Sequence, residues 1–229
     1  MNRRNIIKSA LIAGTGLVAS STLAKGNTGN HVTLGNNAVQ SREEIKASPF
    51  TDLFKPIAPK NIPEPVFTLV NEDLSVLTSG NPSHYNSMVA SWGGWGILFN
   101  KPVVFHLLRS NRYTLELMRQ ENSYTMSFFD DEFKDDIVLF GMSSGRDSDA
   151  KMKNTKLTAV QTPAGNMTYK EAKLIIECRL IQVTTVSPGD FLAEENRQFI
   201  VDAYAETNDY HKIVYGEIAN VWIINCGCE

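Results

Sequence analysis

Three short stretches hold the residues that could do chemistry. Arg112-Tyr113-Thr114 sets a guanidinium and a hydroxyl where a buried strand gives way to a predicted helix. Free helix-start N–H groups join them there, and the set makes a good anion site. A capped helix start with a solvated arginine accounts for the same residues without a ligand. Residues 86–96 run Asn-Ser-Met-Val-Ala-Ser-Trp-Gly-Gly-Trp-Gly. Their glycines let main chain approach a flat molecule or relieve a sheet corner. The structural alternative is a glycine-rich bulge whose tryptophans lie in the core. Residues 143–149, Ser-Ser-Gly-Arg-Asp-Ser-Asp, add Ser144 and Arg146 as further donors. Asp147 suits orienting Arg146 better than facing an anion, because like charges repel. A polar turn held by Asp–Arg pairing accounts for Asp147 and Asp149 equally well.

No protein nucleophile or metal site accompanies these stretches. The sequence has no G-x-S-x-G, H-E-x-x-H, C-x-x-C or phosphate loop. Its histidines, His31, His84, His106 and His211, are scattered, and His106 alternates within an apolar strand as a core histidine does. Chemistry without a catalytic side chain points to a cofactor that carries its own.

The elements that must position these residues are mostly strands. The pattern predicts strands over 66–70, 74–79, 88–92, 103–108, 124–129, 173–186 and 211–224. The run at 103–108 is apolar enough to be buried on both faces. Prolines at 56, 59, 63 and 65 keep the approach to the first strand extended. Helical spacing is found over 114–121, 132–140 and 196–206, the last with Phe199, Ile200, Ala203 and Tyr204 on one side. Several strands follow one another without intervening helices. That disfavours a parallel doubly wound sheet and predicts a mostly β fold, an antiparallel barrel with flanking helices.

In this order, the three stretches resemble the flavin reductase-like family, which holds FMN on a split β-barrel. Members read N-x-M-T-x-S-W where this chain has Asn86, Met88, Ser91 and Trp92, with Val89 in place of the threonine. They carry R-x-T or R-x-S at the phosphate site, as at Arg112 and Thr114, and S-G-R-D-x-D-K where Ala150 here displaces the lysine to Lys151. Glu171-Ala172 and residues 174–179 echo E-A-x-L-x-x-E-C-R, although Glu177 and Arg179 also read as a strand charge pair. The resemblance covers about residues 62 to 224.

The resemblance implies FMN contacts from Asn86, Ser87, Met88, Val89, Ser91, Trp92, Arg112, Tyr113, Thr114, Ser144 and Arg146. It implies an oxidoreductase that passes hydride or electrons through the flavin N5, with no catalytic side chain. It also implies a homodimer that helps enclose the ring. The electron donor is left open between NAD(P)H and, as in a flavoredoxin, a protein or membrane donor. A non-redox binding module on the same barrel is the third reading.

The ends of the chain say where the protein works. Residues 1–24 place Arg3-Arg4 before Ile6-Ile7-Lys8, then a modest apolar run broken by Gly14 and Gly16 and closed by small residues. This looks like a twin-arginine signal, too short and weakly apolar for a lasting anchor, and predicts export to the periplasm. A basic tail or an ordinary secretory signal reads the same residues. Residues 25–48 are rich in Gly, Asn, Ser and Thr and read as a flexible leader to one folded domain over 49–229. The net charge of −3, without a basic stripe, argues against a nucleic-acid partner. Three cysteines make no disulfide scaffold. Cys178 sits in an apolar strand. Cys226 and Cys228 are incidental tail thiols, a redox pair or an inter-chain bridge, and with no nearby histidine they are too few for structural zinc.

Overall fold

The computed structural model describes residues 50–142, 144–146 and 154–225, without the side chain of Asn71. The expected signal and leader, together with Asp147, Asp149, Lys151, Cys226 and Cys228, lie outside the described residues.

Ten strands carry the fold: β1 (Phe54–Ile57), β2 (Ser75–Asn81), β3 (His84–Ala90), β4 (Gly93–Leu98), β5 (Lys101–Leu108), β6 (Ser123–Phe128), β7 (Ala159–Gln161), β8 (Met167–Tyr169), β9 (Leu174–Thr185) and β10 (Lys212–Ile224). Eight form one antiparallel sheet in the order β3-β2-β6-β9-β10-β5-β4, with β1 paired to the far half of β10. The strands at the two ends of that order, β3 and β4, are consecutive in the chain and joined by Ser91 and Trp92 alone. So short a link brings the ends of the sheet together, and the sheet curls as a barrel must. At the start of β4, a Cβ on Gly93 would run into the carbonyl oxygen of Phe105, so only glycine lets β4 approach β5 this closely.

Four helices accompany the sheet, α1 (Phe50–Leu53), α2 (Val66–Thr68), α3 (Tyr113–Glu121) and α4 (Lys134–Met142), and α5 (Glu194–Tyr204) belongs to a separate unit described below. Residues 66–70, expected as a strand, are helical instead. Pro65 starts the turn in an extended conformation, α2 runs into a π-turn over Leu69–Asp73, and Leu69 N–H donates to Pro65 O at 3.1 Å. A short apolar run has no period that separates strand from helix.

Two apolar clusters lie on opposite faces of the sheet. Leu77, Met126, Leu174 and Ile176 join Leu115 and Met118 of α3 in one; Val76 and Ile175 join Phe54, Phe140 and Trp222 in the other. Successive residues therefore serve opposite clusters, which is why β9 opens on three consecutive apolar residues, Leu174, Ile175 and Ile176. The β7–β8 hairpin covers the second face. It is held by Thr125 Oγ1 donating to Met167 O (2.7 Å) and by Ser127 bonding Thr168 (2.9 Å).

Glu177 anchors that hairpin. The Glu177 carboxylate is buried and accepts from Thr162, Asn166 (2.7 Å), Asn220 (2.7 Å) and Trp222 Nε1 (3.4 Å). The expected Glu177–Arg179 pair is not formed. Adjacent-but-one strand positions share a face, but Arg179 turns to Glu217 on β10 at 2.5 Å, leaving Glu177 to four uncharged donors.

Residues 187–210 form a compact unit distinct from the one just described. It holds a 3₁₀ turn at Pro188–Asp190 and α5, whose Arg197 pairs with Glu194 and whose Tyr204 ring lies tilted against Tyr210 at 5.2 Å. Among the described residues no helix is long and apolar enough to cross a membrane.

Candidate functional site

A cleft of about 140 Å³ opens where β3, the start of α3 and the end of α4 meet. The loop after β5 turns at Arg109, whose carbonyl accepts from Arg112 N–H at 3.2 Å. Arg112 is then extended (φ −73°, ψ 124°) and α3 begins at Tyr113. Asp, Asn, Ser or Thr at such a position would cap the first N–H groups with a side-chain oxygen. Arginine has none to offer, and no side-chain cap bond forms. The helix therefore presents uncapped N–H groups beside a guanidinium, which together attract an anion.

Thr114 stands at this point and is 1% exposed. Its Oγ1 accepts from Asn86 Nδ2 at 2.7 Å. With that lone pair engaged, the hydroxyl proton is free to donate into the cleft. Arg112, Tyr113, Asn86, Met88, Val89 and Ser144 also line the space. Sequence reasoning thus brought together most of the lining.

Four expected residues lie elsewhere. Ser87 does not line the cleft; it bonds Tyr169 and Thr78 at 2.7 Å each. Ser91 and Trp92 form the β3–β4 link and do not line the cleft; the Trp92 ring lies against His211 at 5.1 Å. Arg146 stands just outside, its Nη2 2.5 Å from Glu116 Oε1 and its guanidinium 5.2 Å above the Tyr113 ring. That hydrogen bond and charge hold the Glu116 carboxyl below its ordinary range. Tyr113 is also hydrogen-bonded to His84, so it is gripped from two sides.

Four lining residues had not been expected: Asn111, Phe140, Gly141 and Gly145. Phe140 is buried and stacks on Tyr169 at 5.5 Å. Its helical spacing marked it as core, and nothing in its spacing marks a ligand wall. Gly145 is signalled only by its place between Ser144 and Arg146. Among the described residues no group of three or more His, Cys, Asp or Glu is placed to hold a metal ion.

The donor set suits a phosphomonoester: a guanidinium, a hydroxyl and helix-start N–H groups at one end, with Met88, Val89 and Phe140 as an apolar wall beside them. Comparison with known proteins agrees with this class. Residues 69–228 match the model described as the flavin reductase like domain, and the chain belongs to that family. No curated protein matches it.

Solved structures share the fold. An FMN-binding domain of a flavin reductases-like enzyme from Shewanella baltica OS155 matches with TM-score 0.52 and 16% identity, over 74% of this chain and 76% of that one. An FMN-binding protein from Thermus thermophilus, with bound p-hydroxybenzaldehyde, matches with TM-score 0.50 and 19% identity over 66% and 70%. The flavoredoxin of Desulfovibrio vulgaris (Miyazaki F) matches with TM-score 0.50 and 20% identity over 68% and 70%.

Proposed function

We propose that the protein binds FMN by its phosphoryl end at the start of α3 and serves as an FMN-dependent oxidoreductase. One observation carries this reading: the buried Asn86–Thr114 hydrogen bond beside uncapped helix N–H groups and Arg112, in a chain of the flavin reductase-like family. Arg112 and Thr114 hold the phosphoryl oxygens, Tyr113 and Ser144 border them, and Met88, Val89 and Phe140 exclude water from one side. Bound FMN supplies reversible hydride or electron transfer at N5; the chain supplies grip, orientation and electrostatics.

A carrier role without a diffusible substrate is the second reading. The match to a flavoredoxin fold favours it, as does the twin-arginine-like N-terminus, since nicotinamide cofactors are scarce outside the cytoplasm. Export to the periplasm and a homodimer belong to the same proposal. Ile97 (74% exposed) and Phe99 (80% exposed) stand at or just beyond the edge strand β4, where a second copy would cover them.

The test is anaerobic stopped-flow reduction of FMN-loaded protein. Rapid bleaching by NADH or NADPH supports the reductase. Inertness to both, with reduction by a redox protein, supports the carrier. Protein that takes up no FMN defeats both.

A further inference from the structure

The unit at residues 187–210 concentrates charge that the flavin site does not use. It holds Asp190, Glu194, Glu195, Asp202, Glu206 and Asp209 against Arg197 alone, a net of −5 in a chain whose total is −3. Arg197 is taken up by Glu194 on the same helix.

Helix α5 buries Tyr204 and half-buries Ile200 and Ala203. Another side carries Glu195, Phe199, Asp202 and, just past the helix end, Glu206. Their spacings of four, three and four make one stripe along the helix. All four are exposed, Phe199 by 63%, and Leu192 before the helix is fully exposed. An aromatic ring left in water between carboxylates suits a partner that is apolar at its centre and cationic on both sides.

The chain itself contains such a segment. Residues 1–24 lie outside the described residues, and in them Ile6-Ile7 falls between Arg3-Arg4 and Lys8. No acidic residue occurs before Glu43. Charge and apolar centre thus mirror the stripe. The same stripe on a second copy would set carboxylate against carboxylate, which repels. Exposed ion pairs are individually weak. A segment joined to its site by the same chain, however, meets it at an effective concentration on the order of millimolar. The roughly forty residues between Lys8 and Phe50 can span on the order of 100 Å, so reach does not limit the contact.

We infer that residues 3–8 dock in cis on the stripe of Glu195, Phe199, Asp202 and Glu206, with Ile6 and Ile7 on the ring and the cations on the carboxylates. Under the export proposal, this contact covers the paired arginines of the folded chain until an export receptor competes for them. The docking itself does not depend on FMN.

The test is limited trypsin digestion of the full chain, with initial cleavage after Arg4 and Lys8 followed by mass spectrometry. A synthetic peptide of residues 1–24 gives the unprotected rate under each condition. Relative to that peptide, wild-type protein should be cut about fivefold more slowly at low salt, and protection should fade at 1 M NaCl, where the screening length is about 3 Å. The exposed triple variant Glu195→Gln, Asp202→Asn, Glu206→Gln should lose the protection at low salt, and Phe199→Ser about half of it. Carbodiimide coupling of a mixture of ordinary and nitrogen-15-labelled wild-type protein should join Lys8 to Glu195, Asp202 or Glu206 within one chain. Joining between chains overturns the inference and gives the face to a second copy. Cleavage of wild-type protein at the peptide's rate also overturns it and leaves the face to a basic partner protein. The salt and coupling experiments need no variant to fold.

Discussion

Asn86 on β3 donates from Nδ2 to Thr114 Oγ1 across 2.7 Å, tying one end of the sheet to the first turn of α3. The two residues are 28 positions apart in the chain, yet each is nearly fully buried. A threonine oriented in this way points its proton at whatever anion the helix attracts. The electrostatics of the site follow from that placement.

Glu116 sets a limit on affinity. It sits one turn into α3, paired with Arg146 at 2.5 Å, and places a negative charge beside the proposed phosphate site. Glu116→Gln removes that charge and releases Arg146. FMN should bind about threefold more tightly at low salt, and the gain should shrink at high salt as screening grows. Titrations at two ionic strengths check both statements; weaker binding by the variant would refute them.

His106 makes the fold acid-sensitive. It is buried against Tyr124 at 5.6 Å, and burial pulls its pKa down to about 3. The folded state therefore keeps it neutral where the unfolded chain, near 6.5, binds a proton. Stability from this residue is complete above about pH 6.5 and falls as pH drops toward 3, by up to about 1.4 kcal/mol per unit. Urea unfolding between pH 7 and 4 should show this slope, and His106→Phe should flatten it. An equal slope in the variant would assign the loss to other groups.

Glu177→Ala should lower stability by about 3 kcal/mol. The change removes the acceptor of four donors, buried Thr162 and Trp222 and part-buried Asn166 and Asn220. Trp222 fluorescence during urea unfolding reports it. A loss below about 1 kcal/mol would mean that water replaces the carboxylate.

The long strands were legible because β9 and β10 are rich in β-branched and apolar residues over twelve and thirteen positions. The hairpin β7–β8 was not. Its stability comes from hydroxyls of Thr125 and Ser127 on another strand, and from Glu177, none of which its own pattern records. At the site, Arg112 and Thr114 could be read because a helix start after a buried strand is a local feature. The link from Arg146, in the turn after α4, to Glu116 on α3 leaves no local trace. Trp92 and Ser87 share a motif with Asn86, but Ser87 is engaged by Thr78 and Tyr169 and Trp92 sits in the tight β3–β4 link, so neither lines the cleft.

The central claim is that a phosphoryl group is held at Arg112 and Thr114. The most direct test is the affinity of wild-type protein and of the Arg112→Ala, Thr114→Val double variant for FMN and for riboflavin, which lacks the phosphate. Wild-type protein should favour FMN by about a hundredfold, and the variant should bind the two within about threefold. A double variant that still binds FMN as wild type does would contradict the account.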